Sequence, residues 1–528
     1  MFRRHRLTYY IHVARKRVVD IMHVVKILLF IALLFAEINT LRATTNTASA
    51  GATWSGATWS LGHVPLSTED VVINSGINLN IDIAAVCGSL TIGDATSLAT
   101  TVTLGASGSI AINGTSGNLI FNPSNVNQAF VLDIATRTLS VSGTLIFPTI
   151  NTSTITLCSG TATFSNLVIL SANGKITFQC IGLGTVNFNG GLTDNATGLT
   201  TISGSTVNLG GNYTVNNTSV IWNNNANIKF SGSCTITPNA SITFGHLTIN
   251  SAATVAAAGD LSVLGSWTNN GGTFMPGTYT VSFTGTSGSQ LDGTANSATF
   301  YNLTIARGAG NLYTDGNIAT ITTQDLTLNS GHFNLVANIS TNLTINGNFL
   351  FTGGTLSYGP AINIYGNWTR NGGSWVGTAA SELVTFYGTG TTTLGGSQLT
   401  VFDNLTINKS SPTDILQLTG VETTVIGNLT LTNGGLDLNS QTLRVYKAIT
   451  RSSPAYIKSE TSLATNPSKI ISMFISATAG STYVFPFGIS SAVSDYIPLT
   501  FINQQTASTY NITVSTRATP ASDNLPLA

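Results

Sequence analysis

Carboxylates are the side chains on which any catalytic interpretation of this sequence would depend. Of the 20 Asp and Glu residues, 18 follow residue 50, and they are spread thinly along the chain. Glycoside hydrolysis requires two carboxyl groups that face each other across the scissile bond. The only adjacent acidic pair, Glu69 and Asp70, lies in a segment that we interpret as a terminal cap. The acidic residues therefore do not predict a hydrolase site.

Lyase and metal chemistry have equally little support in the sequence. A lyase needs clustered acidic residues for Ca²⁺ and a basic residue that abstracts a proton, whereas Asp315 and Asp325 lack a third partner nearby in the sequence. The histidines that follow residue 50, His63, His246 and His332, are far apart, so we interpret each as a turn residue and not as part of a zinc site or triad. No nucleotide-binding loop or repeated calcium motif occurs in the sequence. We predict no catalytic residues, no metal, no cofactor and no enzyme activity.

Aromatic side chains are the remaining candidates for binding, because an exposed ring can stack against a sugar ring. Trp267 and Trp368 share the parity of the apolar residues of their strands, which places both indoles in the interior. Trp375, Tyr365 and Tyr387 are not constrained in this way. These three residues are the predicted glycan-contacting residues.

Four cysteines are scattered without any Cys-x-x-Cys spacing, which argues against a structural zinc site. Cys158 and Cys180 are separated by about one coil of the architecture proposed below, so a disulfide between adjacent coils is one interpretation. Buried free thiols that pack as small apolar groups are the other.

A long internal repeat is the strongest organisational signal in the chain. The segment LSVLGSWTNNGGTF from Leu261 matches INIYGNWTRNGGSW from Ile362 at an offset of 101 residues. Two further pairs follow in the same order, the NLTI blocks at Asn302 and Asn404 and the LTL blocks that begin at Leu326 and Leu429.

Short alternating strands recur inside this repeat at steps of 17 to 24 residues. One side of each strand is apolar and the other is rich in Thr, Asn and Ser, and glycine pairs mark the turns. This rhythm predicts an all-β chain folded as a right-handed parallel β-helix of order 85 Å in length. An array of β-sandwich domains is the alternative, because 102 residues is also the size of such a domain. The predicted strands begin near Leu326, Leu343, Ile362, Val384, Leu405 and Leu429.

Composition divides the chain into four parts. The basic start leads into a ten-residue apolar run, Ile27 to Ala36, which is too short to span a bilayer and is typical of a secretory signal peptide. An uncleaved membrane anchor is the alternative, and Met22 is a second candidate start. Trp54 and Trp59 are expected to cover the first coil. The predicted parts are a signal peptide at 1–43, an N-terminal cap at 44–70, parallel coils at 71–451 and a small antiparallel β-domain at 452–528.

The distribution of charge limits the classes of partner. The formal net charge is zero, but eight of the 20 Lys and Arg residues lie within the first 50 residues, so the body carries 12 basic and 18 acidic side chains. A mildly acidic body without a basic cluster argues against a nucleic-acid partner. We likewise predict no nucleotide ligand, and contact with a membrane only through the export signal.

These motifs resemble those of the large repeat-containing surface proteins that gliding and gut bacteria export, often by the type IX route. The entry pattern Trp59-x-x-Gly62-x-x-Pro65 is similar to the start of G8-type extracellular domains, and the NLTI and Gly-x-Trp-Thr-x-Asn-Gly-Gly blocks extend the resemblance over about residues 51 to 450. The resemblance implies a secreted protein of the bacterial cell surface. Proteins of this kind normally end in a sorting domain that the sequence up to Ala528 does not include, which leaves the export route open.

Three functions follow from this interpretation. The first is an adhesin or extracellular structural protein whose rod contacts glycans or cell-surface components. The second is a passive stalk for a further C-terminal module. The third is a carbohydrate-active β-helix enzyme, either a lyase or a hydrolase, for which acidic residues of different coils would have to converge.

Overall fold

The structure is a computed structural model in which the coils of the chain are described from residue 43 onward. The described residues are 22, 25–26, 43–94, 98–114, 116–122, 130–146, 153–156, 159–170, 176–179, 184–197, 200–203, 206–217, 220–222, 226–239, 242–336, 341–377, 382–459, 469–475, 478–504 and 510–516.

Short strands separated by tight turns make up the N-terminal part of the rod. Their length of two to six residues is what one side of a coil can hold before the chain must turn. The strands are β1 (Thr45–Ala50), β2 (Thr58–Trp59), β3 (Asp70–Ile73), β4 (Asn78–Ile81), β5 (Ala84–Cys87), β6 (Ser89–Ile92), β7 (Thr100–Leu104), β8 (Ser109–Ile112), β9 (Leu119–Phe121), β10 (Phe130–Asp133), β11 (Thr138–Val141), β12 (Leu145–Ile146), β13 (Ser153–Thr156), β14 (Thr161–Phe164), β15 (Val168–Leu170), β16 (Ile176–Gln179), β17 (Thr185–Phe188), β18 (Leu192–Asp194), β19 (Thr200–Ser203), β20 (Thr206–Leu209), β21 (Tyr213–Val215), β22 (Val220–Trp222) and β23 (Asn227–Phe230).

The middle of the chain contains two longer strands, β34 and β36, each of which bends around a corner of its coil. The strands here are β24 (Ser233–Pro238), β25 (Ile242–Phe244), β26 (His246–Ile249), β27 (Thr254–Ala257), β28 (Leu261–Val263), β29 (Trp267–Asn269), β30 (Thr273–Met275), β31 (Thr280–Phe283), β32 (Ser289–Gly293), β33 (Ser297–Thr299), β34 (Asn302–Thr314), β35 (Thr320–Thr323), β36 (Asp325–Asn334), β37 (Asn342–Ile345), β38 (Phe349–Phe351) and β39 (Thr355–Ser357).

The last part of the chain continues the same pattern and adds a 3-10 turn at Val493–Asp495. Its strands are β40 (Ala361–Ile364), β41 (Trp368–Arg370), β42 (Ser374–Val376), β43 (Leu383–Phe386), β44 (Thr391–Gly396), β45 (Thr400–Phe402), β46 (Asn404–Asn408), β47 (Ile415–Gly420), β48 (Thr423–Val425), β49 (Leu429–Asn433), β50 (Gly435–Asp437), β51 (Thr442–Val445), β52 (Ile449–Arg451), β53 (Tyr456–Lys458), β54 (Lys469–Ile475), β55 (Thr482–Phe485), β56 (Phe487–Gly488), β57 (Leu499–Ile502) and β58 (Tyr510–Thr516).

Three strands form one coil, and equivalent strands of successive coils pair in parallel, so the rod has three faces. The first face runs from β4 through β28, β31 and β41 to β56. The second runs from β5 through β29 and β42 and continues with β45 to β54. The third is occupied in turn by β1 to β12, β15 to β30 and β33 to β52. These pairings confirm the predicted all-β parallel β-helix and are not those of a β-sandwich array.

The core is a continuous column of apolar side chains inside the coils. Strand after strand alternates half-buried and buried residues, because successive side chains of a strand point to opposite sides of the sheet. Trp267 and Trp368 are 2% and 0% exposed, which confirms the prediction that both point inward. Among the described residues the first face has 19 successive strands, and at ~4.8 Å per coil the rod is roughly 85 Å long.

The coil rhythm predicted from the sequence holds on the third face. Leu343, Ile362, Val384 and Leu405 occupy equivalent positions in consecutive coils there, and Leu429 follows them. The first predicted step was wrong, because Leu326 lies on the first face, where it pairs with Leu303 and Phe349. An apolar strand of another face has the same in-out pattern, so periodicity alone does not distinguish the faces.

The sequence repeat and the coils do not coincide. Trp267 pairs with Leu247 and Leu291 on the second face, whereas Trp368 pairs with Phe349 and Leu394 on the first. The two copies of the repeated segment therefore have the same local structure, but one is displaced from the other by one face of the rod.

Additional strands cover both ends of the rod. At the N-terminal end, Trp54 and Trp59 are buried with their ring centroids 5.0 Å apart, edge to face. The strand β1 lies inside the segment predicted as a cap, yet it already pairs in parallel with β3.

At the C-terminal end, β58 pairs antiparallel with β54 and β57 pairs antiparallel with β55, which gives the predicted small antiparallel sheet. The boundary predicted after Arg451 has no counterpart in the pairing, because β53 and β56 extend the first face past it.

Two sequence predictions concern residues that are not described. The signal peptide at 1–43 lies almost entirely outside the described residues, as do Cys158 and Cys180 of the possible disulfide. Cys87 and Cys234 are buried free thiols. Among the described residues, none of the helices has the length and apolar character needed to cross a membrane.

Candidate functional site: a tyrosine pair and a carboxyl pair

Tyr365 and Tyr387 form a stacked pair at one corner of the rod. Each follows a third-face strand, and because Ile364 pairs with Phe386, the two tyrosines occupy the same position in adjacent coils. Their ring centroids are 5.1 Å apart and their planes differ by 20°. Tyr365 is 39% exposed and Tyr387 is half-buried. The structure thus brings together two of the three predicted glycan-contacting residues.

The corner that carries these tyrosines is rigidly held. The backbone N–H of Tyr365 donates to the carbonyl of Ile345 at 2.9 Å, and that of Tyr387 donates to the carbonyl of Ile364 at 2.7 Å. Gly388 follows with a φ of 85°, and an added Cβ would lie 2.1 Å from the carbonyl oxygen of Tyr365. Only glycine permits this close approach of the two coils.

A buried lysine supports the same corner from inside. Lys409 is 1% exposed, and its Nζ donates to the carbonyl of Tyr387 at 2.7 Å and to Oγ1 of Thr392 at 2.9 Å. Burial lowers the pKa of Lys409 to about 8, and the charge of Asp414 opposes this shift. The ammonium group thereby fixes the backbone beneath the second tyrosine.

Trp375 lies elsewhere, on the second face. Its ring stacks on Tyr358 with the centroids 4.0 Å apart, it meets Trp368 edge to face, and its Nε1 donates to the carbonyl of Val401 at 2.7 Å. Of the three predicted contact residues, Trp375 is the one most engaged in packing.

Beside Trp375 the structure brings together a pair of carboxyl groups that sequence analysis missed. Asp403 accepts a hydrogen bond from the hydroxyl of Tyr358 at 3.3 Å and lies beside the carboxyl group of Glu382, which is 3% exposed. An added Cβ on Gly377 would be 2.6 Å from Asp403 Oδ2 and 2.7 Å from Glu382 Oε2. The absence of a side chain at Gly377 therefore makes room for the pair.

The environment of the pair favours a shared proton. The pKa of Asp403 is raised to about 6. Burial is the largest cause, the adjacent carboxyl group of Glu382 acts in the same direction, and Tyr358 and Lys447 act in the opposite direction. Burial and the two carboxylates also raise the pKa of Tyr358, so its hydroxyl stays a donor.

A signal for this pair was present in the sequence. Glu382 and Asp403 each stand two residues before a predicted strand position, Val384 and Leu405, that recurs once per coil. Comparing acidic residues by their position in the coil, and not by their distance along the chain, would have identified them.

The remaining polar candidates make hydrogen bonds within the rod. His332 contacts Asn311 and Ser357, and the Nδ1 of His246 accepts from the backbone of Ser266. Glu69 accepts hydrogen bonds inside the N-terminal cap. Asp315 and Asp325 accept from neighbouring turns. Among the described residues, no three His, Cys, Asp or Glu side chains are grouped so that they could hold a metal ion.

No protein-family model matches this chain, and the searches of curated proteins and of solved structures found no significant similarity. The pairing of the strands by itself defines the class of the fold, which is the parallel β-solenoid.

Proposed function

We propose that this chain is an exported adhesin of the bacterial surface that contacts glycans at the corner formed by Tyr365 and Tyr387. The observation that carries this proposal is the stacked pair itself, in which two aromatic rings of adjacent coils meet at an outer corner of the rod and Tyr365 is 39% exposed. The basic and apolar N-terminus and the resemblance to bacterial surface repeat proteins support export and a surface location.

The geometry of the pair determines how a sugar would bind. The facing sides of the two rings cover each other, so the available surfaces are the two phenol hydroxyls and the outer ring faces. Hydroxyl groups of a glycan can pair with the phenols, and the C–H groups of a pyranose can pack on an outer face. Such a contact is small, and many rods on one cell would make it effective by multivalency.

The test is retention of the purified full-length protein on a panel of immobilised neutral and acidic polysaccharides. The double variant Tyr365→Ala and Tyr387→Ala is expected to reduce retention at least tenfold, because it removes both aromatic contacts. Tyr279→Ala is the matched control, because Tyr279 is exposed to a similar degree, 36%, several coils away. Circular dichroism would verify that each variant keeps its strands.

The products of the same incubation distinguish the alternatives. Retention without shortening of the polysaccharide supports the adhesin. Shortened or unsaturated products would instead indicate an enzyme, for which the pair Glu382 and Asp403 is the first place to look. Equal retention of the double variant and the unsubstituted protein would contradict the proposed site, and no retention of either would favour a passive stalk.

A further inference from the structure

Arg307 is a fully buried cation inside the coils. It lies where β34 turns from the first face to the second, and it is 0% exposed. Its Nη2 donates to the carbonyl of Ser287 in the preceding coil. Gly331 of the following coil has a φ of 81°, and an added Cβ there would be 2.6 Å from the Cβ of Arg307. The neighbouring coils thus enclose the side chain.

Only some of the N–H groups of the Arg307 guanidinium have hydrogen-bond acceptors. Within the part of the chain that the structure describes, Nε and Nη1 of Arg307 have no hydrogen-bond partner. Burial is the single cause that lowers the pKa of Arg307, with no contribution from any carboxylate. Among the described residues, no carboxylate forms an ion pair with Arg307.

A second buried polar group without a hydrogen-bond partner lies two residues from Ser287 in the chain. Ser289 is two residues beyond the carbonyl that Nη2 reaches, it is 2% exposed, and its Oγ also lacks a partner among the described residues. Gly288, which separates Ser287 from Ser289, is exposed, so this turn faces solvent on its outer side. Buried donors without acceptors therefore lie beneath a turn that is exposed to solvent.

A buried charge without a partner is strongly destabilising, and native structures rarely leave such donors unsatisfied. A water molecule could accept from Nε or Nη1 but would leave the charge uncompensated. An anion both accepts these hydrogen bonds and neutralises the charge.

We propose that the Arg307 corner binds a small monovalent anion of the halide class, which is chloride under ordinary conditions. An ion of this class has no substituents and can accept from several N–H and O–H donors at once. A sulfate or phosphate would carry more charge and more oxygen atoms than one arginine and one hydroxyl can satisfy. The site lies within the rod and is independent of the tyrosine pair.

The first measurement is the folding equilibrium of the full-length protein in denaturant at increasing sodium chloride, with ionic strength held constant by sodium gluconate. Above the dissociation constant, each tenfold rise in chloride is expected to multiply the folding equilibrium constant about tenfold. Arg307→Leu is expected to abolish this dependence. Arg370→Leu is the matched control and should retain it, because the guanidinium of Arg370 already donates to three backbone carbonyls.

The second measurement needs no variant. Crystals of the unsubstituted protein grown in sodium bromide are expected to show an anomalous bromide peak within hydrogen-bond distance of Arg307 Nε or Nη1. A normal water peak or no peak at this position would overturn the proposal, as would a chloride dependence that Arg307→Leu leaves unchanged. If Arg307→Leu does not fold, the bromide experiment decides the question by itself.

Discussion

Asp403 and Glu382 occupy equivalent positions in adjacent coils, where parallel stacking places their side chains in contact. Lys447 is two coils beyond Asp403, and the intervening residue, Gly427, has no side chain that would separate them. A column of equivalent positions thus behaves as one electrostatic unit, in which the chemistry of each residue depends on the residues one and two coils away.

This pair predicts a pH dependence of stability. The pKa of Asp403 is about 6 in the folded state against an ordinary value of 3.8, so folding favours its protonated form, and stability falls as pH rises from about 4 to about 6. Because the site is partly open to solvent, which screens the effect, we expect a loss of about 1 kcal/mol. Denaturant unfolding between pH 3.5 and 7 measures it.

Asp403→Asn is expected to flatten this part of the profile, since Asn resembles the protonated carboxyl group. Asp260→Asn is the control, because Asp260 is distant and accepts a hydrogen bond from the backbone of Thr280. A step of unchanged size in Asp403→Asn would mean that another group is responsible.

At the scale of the strand and the turn, some turns of neighbouring coils approach each other so closely that only a residue without a Cβ fits. An added Cβ on Gly366 would be 2.3 Å from the carbonyl oxygen of Gly347 in the preceding coil, whereas Gly288 has free space around the same position. The same substitution should therefore have opposite effects at the two turns.

Gly366→Ala is expected to destabilise the fold by about 1–3 kcal/mol, because backbone atoms of the adjacent coil must shift. Gly288→Ala is expected to be neutral or to stabilise by up to about 1 kcal/mol, because alanine has less freedom in the unfolded chain. Equilibrium unfolding in denaturant compares the two. Similar destabilisation by both would show that the close approach at Gly366 is not what limits the coil spacing.

The strand pattern allowed interior side chains to be predicted from the sequence, but not the contacts between residues of different coils. Alternation predicted the interior positions of Trp267 and Trp368, because period-two burial is a local property. It did not assign Leu326 to its face or bring Glu382 to Asp403, because both depend on how many residues each turn consumes. Turn length varies from coil to coil. The position of a residue within its coil therefore depends on the lengths of all preceding turns, which a local sequence pattern does not contain.

At the scale of the whole molecule, the open edges of the first and last coils must be covered. Trp54 lies over the first coil, where its backbone N–H donates to the carbonyl of Asn80 at 2.8 Å, and the Nε1 of Trp59 donates to the carbonyl of Trp54 at 3.0 Å. Uncovered strand edges of a solenoid can pair with another chain.

The double variant Trp54→Ala and Trp59→Ala is therefore expected to expose the first coil and to cause self-association that increases with concentration. Light scattering coupled to size-exclusion chromatography measures this. Trp375→Ala removes an equally large ring far from either end and should remain in the oligomeric state of the unsubstituted protein. Association of both variants to the same extent would argue against a capping role.

The displacement between Trp267 and Trp368 has a consequence for how such a rod can lengthen. One copy of the segment does not correspond to a whole number of coils. Inserting another copy would therefore add several complete coils and a fraction of a further one. Everything downstream would move along the axis and also rotate to a new azimuth. Duplication of a single segment could thus distribute one motif around the circumference of the rod, and three copies would be needed before it faced the same direction again.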